Sequence, residues 1–207
     1  AVAIVGFGMP VGLAGMSAVY GAAFGLMPIG WIILNVIFLY QLTNEKGEFD
    51  VLQRSIRNIS DDRRLQLLFI AFSFGAFFEG AAGFGTPVAV TAALLIGLGF
   101  SPLAASGLSL IANTAPVAFG AIAIPITTAG TLTDLDPAHI GAVEGHQAPF
   151  FAFVVPFFLL LIVDGARGLK QAWPAALVVG GSFAIAQWWC ATHFSYELTD
   201  VVASLAG

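Results

Sequence analysis

Long apolar blocks separated by a few short polar stretches set the pattern of this chain. The first block spans about residues 2–42. A membrane-crossing helix needs roughly 20 apolar residues, so this block predicts one full crossing and part of another. Ser17, Gly21 and Gly25 recur every four positions, which puts them on one helix face and permits close helix packing in lipid. Met27-Pro28-Ile29-Gly30 is predicted to interrupt the block, with Trp31 and Tyr40 as interfacial anchors. Residues 43–64 are the most polar stretch and hold Lys46, Arg54, Arg57, Arg63 and Arg64, five of the seven cations. By the positive-inside rule this is a cytoplasmic loop, and Ser60-Asp61-Asp62 predicts a helix start before Leu65.

The remaining cations, Arg167 and Lys170, belong on that same side. Residues 127–147 form a predicted outer loop with Asp134, Asp136 and Glu144 but no Lys or Arg, and residues 196–207 likewise hold only acids and go outside. Two crossings follow, at about residues 148–164 and 173–192. Between Leu65 inside and Ile126 outside the number of crossings must be odd, yet three apolar pieces lie there. Residues 65–78 and 88–99 reach only ~20 Å each at 1.5 Å per residue, short of the ~30 Å hydrocarbon core. A re-entrant hairpin over residues 65–99, turning at residues 79–86 and followed by one outward crossing at residues 102–126, satisfies the parity. One long, unwound crossing is the alternative.

The expected fold class is therefore all-α: a polytopic transmembrane helical protein with broken helices and a re-entrant hairpin. Residues 1–207 read as a single membrane transport domain. The chain opens without Met inside an apolar run, which reads as an internal piece of a longer carrier.

Composition agrees with this class. Hydrophobic residues make up 58% of the 207 positions and charged ones 9%, against about 25% charged in an ordinary soluble domain. The formal charge of −5 is spread over separated loops, and no basic face exists for nucleic acid. Cys190 stands alone, and His139, His146 and His193 have no ligand spacing, so no disulfide, metal or cofactor is expected. A P-loop, nucleophile elbow or dinucleotide fingerprint in its proper context is also missing, which argues against an enzyme.

Chemistry concentrates at two breaks. Glu79-Gly80-Ala81-Ala82-Gly83-Phe84-Gly85-Thr86-Pro87 carries three glycines that relax the backbone and a proline that removes a donor. Thr86 is predicted to cap the returning helix with Pro87 at its first position. Irregular backbone at membrane depth occurs where it is buried in protein or lines a water-filled cavity, and half-helix N-termini hold anionic groups in transporters. Gly83, Gly85 and Thr86 are thus substrate-binding candidates. Asn113-Thr114-Ala115-Pro116 repeats that grammar and adds Asn113 and Thr114; a simple proline kink is the competing reading. Glu79 is the one acid well inside an apolar region, where ionisable groups are costly and functional by default. It is a candidate proton-coupling carboxyl, or else a group packed against backbone N–H at a hydrated tip. Asp164 is expected to pair with Arg167.

The run from Phe74 to Pro87, the run Ile111-Ala112-Asn113-Thr114-Ala115-Pro116-Val117-Ala118-Phe119-Gly120-Ala121, and the shorter Ser60-Asp61-Asp62-Arg63-Arg64-Leu65-Gln66 and Trp173-Pro174-Ala175-Ala176-Leu177 together resemble the L-lactate permease family. The resemblance implies a multi-pass symporter of the bacterial inner membrane that moves lactate, often glycolate too, with protons. Its implied partners are these substrates, the lipid bilayer and the remaining helices of a chain two to three times longer. In Gly145-His146-Gln147 this sequence has His where the family more often has Arg, so no binding role passes to His146. A channel-like pore for small carboxylates and a non-transporting membrane scaffold remain as alternatives to the carrier.

Overall fold

The computed structural model describes residues 2–47, 51, 54–55 and 60–207; much of the polar 43–64 stretch, Arg57 included, lies outside them. All regular structure among the described residues is helical. The chain divides into two compact units, Ala1–Glu45 and Lys46–Gly207.

In the first unit, helix Val11–Phe24 runs through a π-helical stretch, Gly25–Ile29, directly into helix Gly30–Glu45. The expected interruption at residues 27–30 is replaced by a continuous helix, with Gly30 at φ −60° and ψ −37°. A proline interrupts the regular hydrogen-bond ladder of an α-helix, and a π-helical stretch is a local widening that tolerates such an interruption. No described atom lies within 4 Å of a Cβ built at Gly21 or Gly25. Trp31 is exposed, and the Tyr40 side chain lies outside the described set.

The second unit is organised around Arg63–Ala81, which we call the first arm. Asp62 caps it, accepting the Arg64 N–H at 2.9 Å, as Ser60-Asp61-Asp62 implies. The arm continues through a π-helical stretch, Leu68–Phe74, to Ala81, for 19 residues. That is about 28 Å, so by length and composition it reaches across a membrane by itself, where the sequence suggested residues 65–78 and a shorter reach. A turn at residues 82–85 leads into the return arm, Thr86–Gly97. The two arms pack side by side: a Cβ at Gly75 would stand 3.4 Å from Thr91 Cγ2, and one at Gly99 would stand 3.1 Å from Arg63 Nη2. Both bases therefore lie at one end, with the 82–85 turn at the other.

Helix Pro102–Ala112 follows, capped by Ser101. It is clipped to the return arm by buried hydroxyls, with Thr91 Oγ1 2.9 Å from Ser109 Oγ. It forms with Val117–Thr133 a pair bent by 71°. Residues 127–147 are largely helical, since helix Gly120–Thr133 continues into them and Pro137–Glu144 is a further helix. The long helix Ala148–His193 breaks at Asp164 and Gly165, whose φ/ψ values of −137°/17° and 58°/−151° lie outside the helix region. Its two arms fold back on each other: a Cβ at Gly180 would stand 2.8 Å from Phe153 O. A short helix, Thr199–Ala206, ends the chain.

Burial separates centre from periphery. Of the apolar window in the first arm 61% is buried within the protein, against 33% in Ala148–His193. Leu67, Leu68, Ile70 and Phe72 are fully enclosed, and Phe72 meets Phe183 edge-on at 5.0 Å, a geometry that adds about 0.5–1.5 kcal/mol to the area it buries. On the long helix, Phe150, Phe151 and Val178 are exposed, the pattern of a helix whose outer face meets lipid or further protein.

Candidate functional site

The first break is shorter than its sequence suggests. Glycine at position 80 does not end the helix, and Ala82 N–H and Gly83 N–H both donate to Phe78 O at its end, so Glu79 sits in the last helical turn. The chain reverses through Gly83, Phe84 and Gly85 at φ +59°, +52° and +83°. Glycine adopts this left-handed region without the side-chain clash that other residues meet. The predicted cap also moves by one residue. Gly85 is the N-cap, with Thr86 and Pro87 the first helical residues; the left-handed glycine makes the turn, and Thr86 N–H is taken by Gly83 O at 3.0 Å. Pro87 has no donor and Ala89 N–H bonds Gly85 O at 3.2 Å. The first turn therefore leaves Val88 N–H without a backbone acceptor, a smaller anion-facing end than the sequence implied.

The second break is longer than expected. Helix ends at Ala112, residues 113–116 turn, Val117–Phe119 makes a 3₁₀ turn, and Ala121, Ile122 and Ala123 all take left-handed φ of +49°, +56° and +54°. Each such residue costs about 1–2 kcal/mol when it is not glycine. Packing holds the segment: Phe119, Ala123 and Ile126 are buried in one cluster with Ala148 and Ala191.

The two breaks meet. A Cβ at Gly83 would stand 2.7 Å from Ala121 Cβ, and one at Gly120 would overlap Glu79 Oε1. Here the Asn113 side-chain amide lies beside the Glu79 carboxyl, close enough to act on it. Glu79 is buried and Asn113 half-buried, yet Glu79 Oε2 and Asn113 Oδ1 have no hydrogen-bond partner. Of the remaining candidates, Gly83 and Thr86 are buried and Gly85 is exposed at the turn. Thr114 is not brought to Glu79: it is exposed, and its hydroxyl donates to Ile111 O at 2.6 Å.

A second acid sits beside the first, in the stretch 196–207 that the sequence places on the outer side of the membrane. Asp200 is fully buried on Thr199–Ala206. This helix presses against Gly80 so closely that a Cβ there would stand 2.9 Å from both Asp200 Cβ and Val201 N. Gln187, also fully buried, donates from Nε2 to Asp200 Oδ1 at 3.2 Å and to Ala115 O, inside the second break, at 3.3 Å. Sequence reasoning missed both residues. The signals were a lone amide in an otherwise apolar crossing and an apolar run, Val201 to Ala206, directly after Asp200.

Charge gathers at the opposite end. Arg64 donates to Asp62 at 2.6 Å and to Asp164 at 3.3 Å, and the Arg64 hydrogen bond holds the Asp62 carboxyl below the usual carboxylate range. The expected Asp164–Arg167 pair gives way to Arg64 because pairing three residues apart needs an unbroken helix, and the chain breaks at Asp164–Gly165. A cavity of about 630 Å³ lies here, lined by Asp62, Arg63, Arg64, Gly99, Ser101 and Asp164 among others. His146 is exposed in the turn before Ala148–His193, its Nδ1 donating to Ala142 O at 2.7 Å.

What the arrangement can do is hold and release a proton. A carboxyl beside an amide, with one unpartnered oxygen and buried where two irregular segments touch, can carry a proton on that oxygen.

The family model for L-lactate permease matches residues 1–207. The chain is 55% identical over 204 residues to the glycolate permease GlcA of Escherichia coli K12, covering 99% of this chain and 36% of that protein. It is 54% identical over 205 residues to the L-lactate permease of Salmonella typhi, with 99% and 37% covered, and 52% identical over 204 residues to that of Bacillus subtilis 168, with 99% and 36% covered. The chain thus spans little more than a third of the length of these curated relatives. No solved structure matches it. With helices of membrane-crossing length, two touching helix breaks and a family match along its whole length, the chain belongs to the L-lactate permease family.

Proposed function

We propose that the whole transporter carries lactate and related 2-hydroxy monocarboxylates such as glycolate across the bacterial inner membrane together with protons, and that Glu79 is the coupling carboxyl. The observation that carries this reading is Glu79 itself, buried at the contact of the two breaks beside the Asn113 amide and with Oε2 unpartnered. The names of the relatives, lactate and glycolate permeases, supply the substrate class.

In this reading Gly83, Gly85 and Thr86 shape the turn that receives the substrate carboxylate, with Val88 N–H as its donor. Asn113 Oδ1 accepts from the 2-hydroxyl. Thr114, turned back on its own helix, shapes the break rather than touching substrate. The residue 65–99 hairpin enters from the cytoplasmic side, where both its bases stand beside Arg64 and Asp164, and outward-facing residues such as Leu103 and Phe150 meet lipid or the remaining helices of the full chain.

Proteoliposomes containing the full-length protein test the reading. Uphill lactate accumulation driven by an imposed pH gradient supports the carrier. Downhill flux alone would indicate a pore, and absence of flux from intact protein would indicate a scaffold.

A further inference from the structure

Two buried acid–amide pairs, not one, occupy the contact between the breaks. In the first, the Asn113 amide lies beside the Glu79 carboxyl, with Glu79 Oε2 and Asn113 Oδ1 unpartnered; in the second, Gln187 donates to Asp200, leaving Asp200 Oδ2 and Gln187 Oε1 unpartnered. Each pair leaves one carboxyl oxygen and the amide oxygen without a donor. A proton on the free carboxyl oxygen supplies that donor, which turns each pair into a reciprocal acid–amide clasp. Leaving these acceptors bare would cost about 1–3 kcal/mol apiece, and a buried carboxylate without a cation would cost more.

Among the described residues, the titratable groups that act on Asp200 are Glu79 on the first arm and Cys190 on the long helix, and neither supplies a positive charge; Arg63 and Arg64 stand at the opposite end of the first arm. Gln187 ties the pairs together, since its Nε2 also donates to Ala115 O, two residues beyond Asn113. Gly80 keeps Asp200 close to Glu79, because any side chain at position 80 would collide with the terminal helix.

We propose that Asp200 carries a second transported proton, clasped by Gln187 as Glu79 is by Asn113, so that two protons accompany each substrate anion. This rests on the reading of Glu79 as the coupling carboxyl. Each proton adds from water on one side, forming an O–H bond at Asp200 Oδ2 or Glu79 Oε2. It is released to water on the other side when that bond breaks, with no change of oxidation state. With a monovalent carboxylate, two protons make each cycle carry one net positive charge inward.

The test is the dependence of lactate accumulation on membrane potential, using full-length protein in proteoliposomes with a potassium–valinomycin potential. At two protons per lactate, each ~60 mV inside negative raises the wild-type accumulation ratio about tenfold. In Asp200→Asn the charge movement disappears and accumulation follows the pH gradient alone, with one proton per lactate. A potential-independent wild-type ratio overturns the proposal and needs no variant at all. A wild-type response that persists in Asp200→Asn also overturns it, because the second proton then resides elsewhere. Full pH-driven accumulation in Glu79→Gln would instead sink the reading of Glu79, while the Asp200→Asn comparison would still report on Asp200.

Discussion

The two helix breaks reach similar irregularity by opposite means. The break at residues 82–85 places glycine at two of its three left-handed positions, Gly83 and Gly85, and is compact. The break that starts at Asn113 uses Ala121, Ile122 and Ala123 at left-handed φ, where each non-glycine residue is strained by about 1–2 kcal/mol. Strain of this kind persists where surrounding structure over-determines it, and it clusters at functional sites. The first break is thus a relaxed hinge, and the second is a strained segment held by its neighbours, chiefly the Gly83–Ala121 contact and the Phe119 cluster.

The largest effect is expected from Gly83→Ala. A methyl there would stand 2.7 Å from Ala121 Cβ at a φ of +59°, combining left-handed strain with overpacking for about 2–5 kcal/mol. The thermal midpoint of the full-length protein should fall sharply. Adding Ala121→Gly should restore only part of the overpacking share of about 1–3 kcal/mol, because Ala121 N would still stand 2.9 Å from the added methyl; a thermal midpoint for Gly83→Ala equal to wild type would show that the breaks do not touch there.

Gly120→Ala comes next. Its methyl overlaps the Glu79 carboxyl, so about 1–3 kcal/mol of overpacking falls on the site itself. At 1.4 kcal/mol per factor of ten, lactate uptake should drop about tenfold or more, with a smaller change in protein level. Uptake at the wild-type rate would place the second break away from Glu79.

Ile122→Gly should do the reverse of Gly83→Ala. Ile122 is half-exposed, so relief of left-handed strain outweighs lost packing and added chain entropy, for a gain of about 0.5–1 kcal/mol. A fall in the thermal midpoint would mean that Ile122 is not strained.

Asp62→Ala, far from both breaks, should have the smallest functional effect and remove a helix cap worth about 1 kcal/mol. Arg64 lowers the Asp62 carboxyl in the folded state. That stabilisation is therefore complete above the ordinary carboxylate range near 3.8 and is lost as pH falls through the depressed folded value. Thermal midpoints of wild type and Asp62→Ala should differ at neutral pH and converge below about pH 4.

The contrast between the breaks also explains what the sequence reveals. Glycines and proline at residues 80–87 and the Asn113–Pro116 cluster announce irregular backbone, and an acid or amide in an apolar run announces a site, so Glu79 and Asn113 were legible. Nothing local marks Ala121, Ile122 and Ala123, whose conformation comes from packing rather than from residue preference. Asp200 was not legible as a buried group, because an acid in a stretch without cations reads as part of a loop. Its burial depends on a notch at Gly80 and an amide at Gln187, both distant in sequence. Pro28, likewise, reads as a break, but local widening of the helix absorbs it.

The central claim is that a carboxyl at the meeting of the breaks couples lactate movement to protons, and Glu79→Gln tests it most directly because glutamine keeps the size and hydrogen bonding of the protonated acid. Two rates are compared in the same proteoliposomes: accumulation driven by a pH gradient, and exchange with lactate on both sides, which requires no net proton release. The account predicts that in Glu79→Gln the pH-driven accumulation falls well below wild type, to no more than the one proton left on Asp200 can drive, while lactate exchange persists. Accumulation equal to wild type would contradict it.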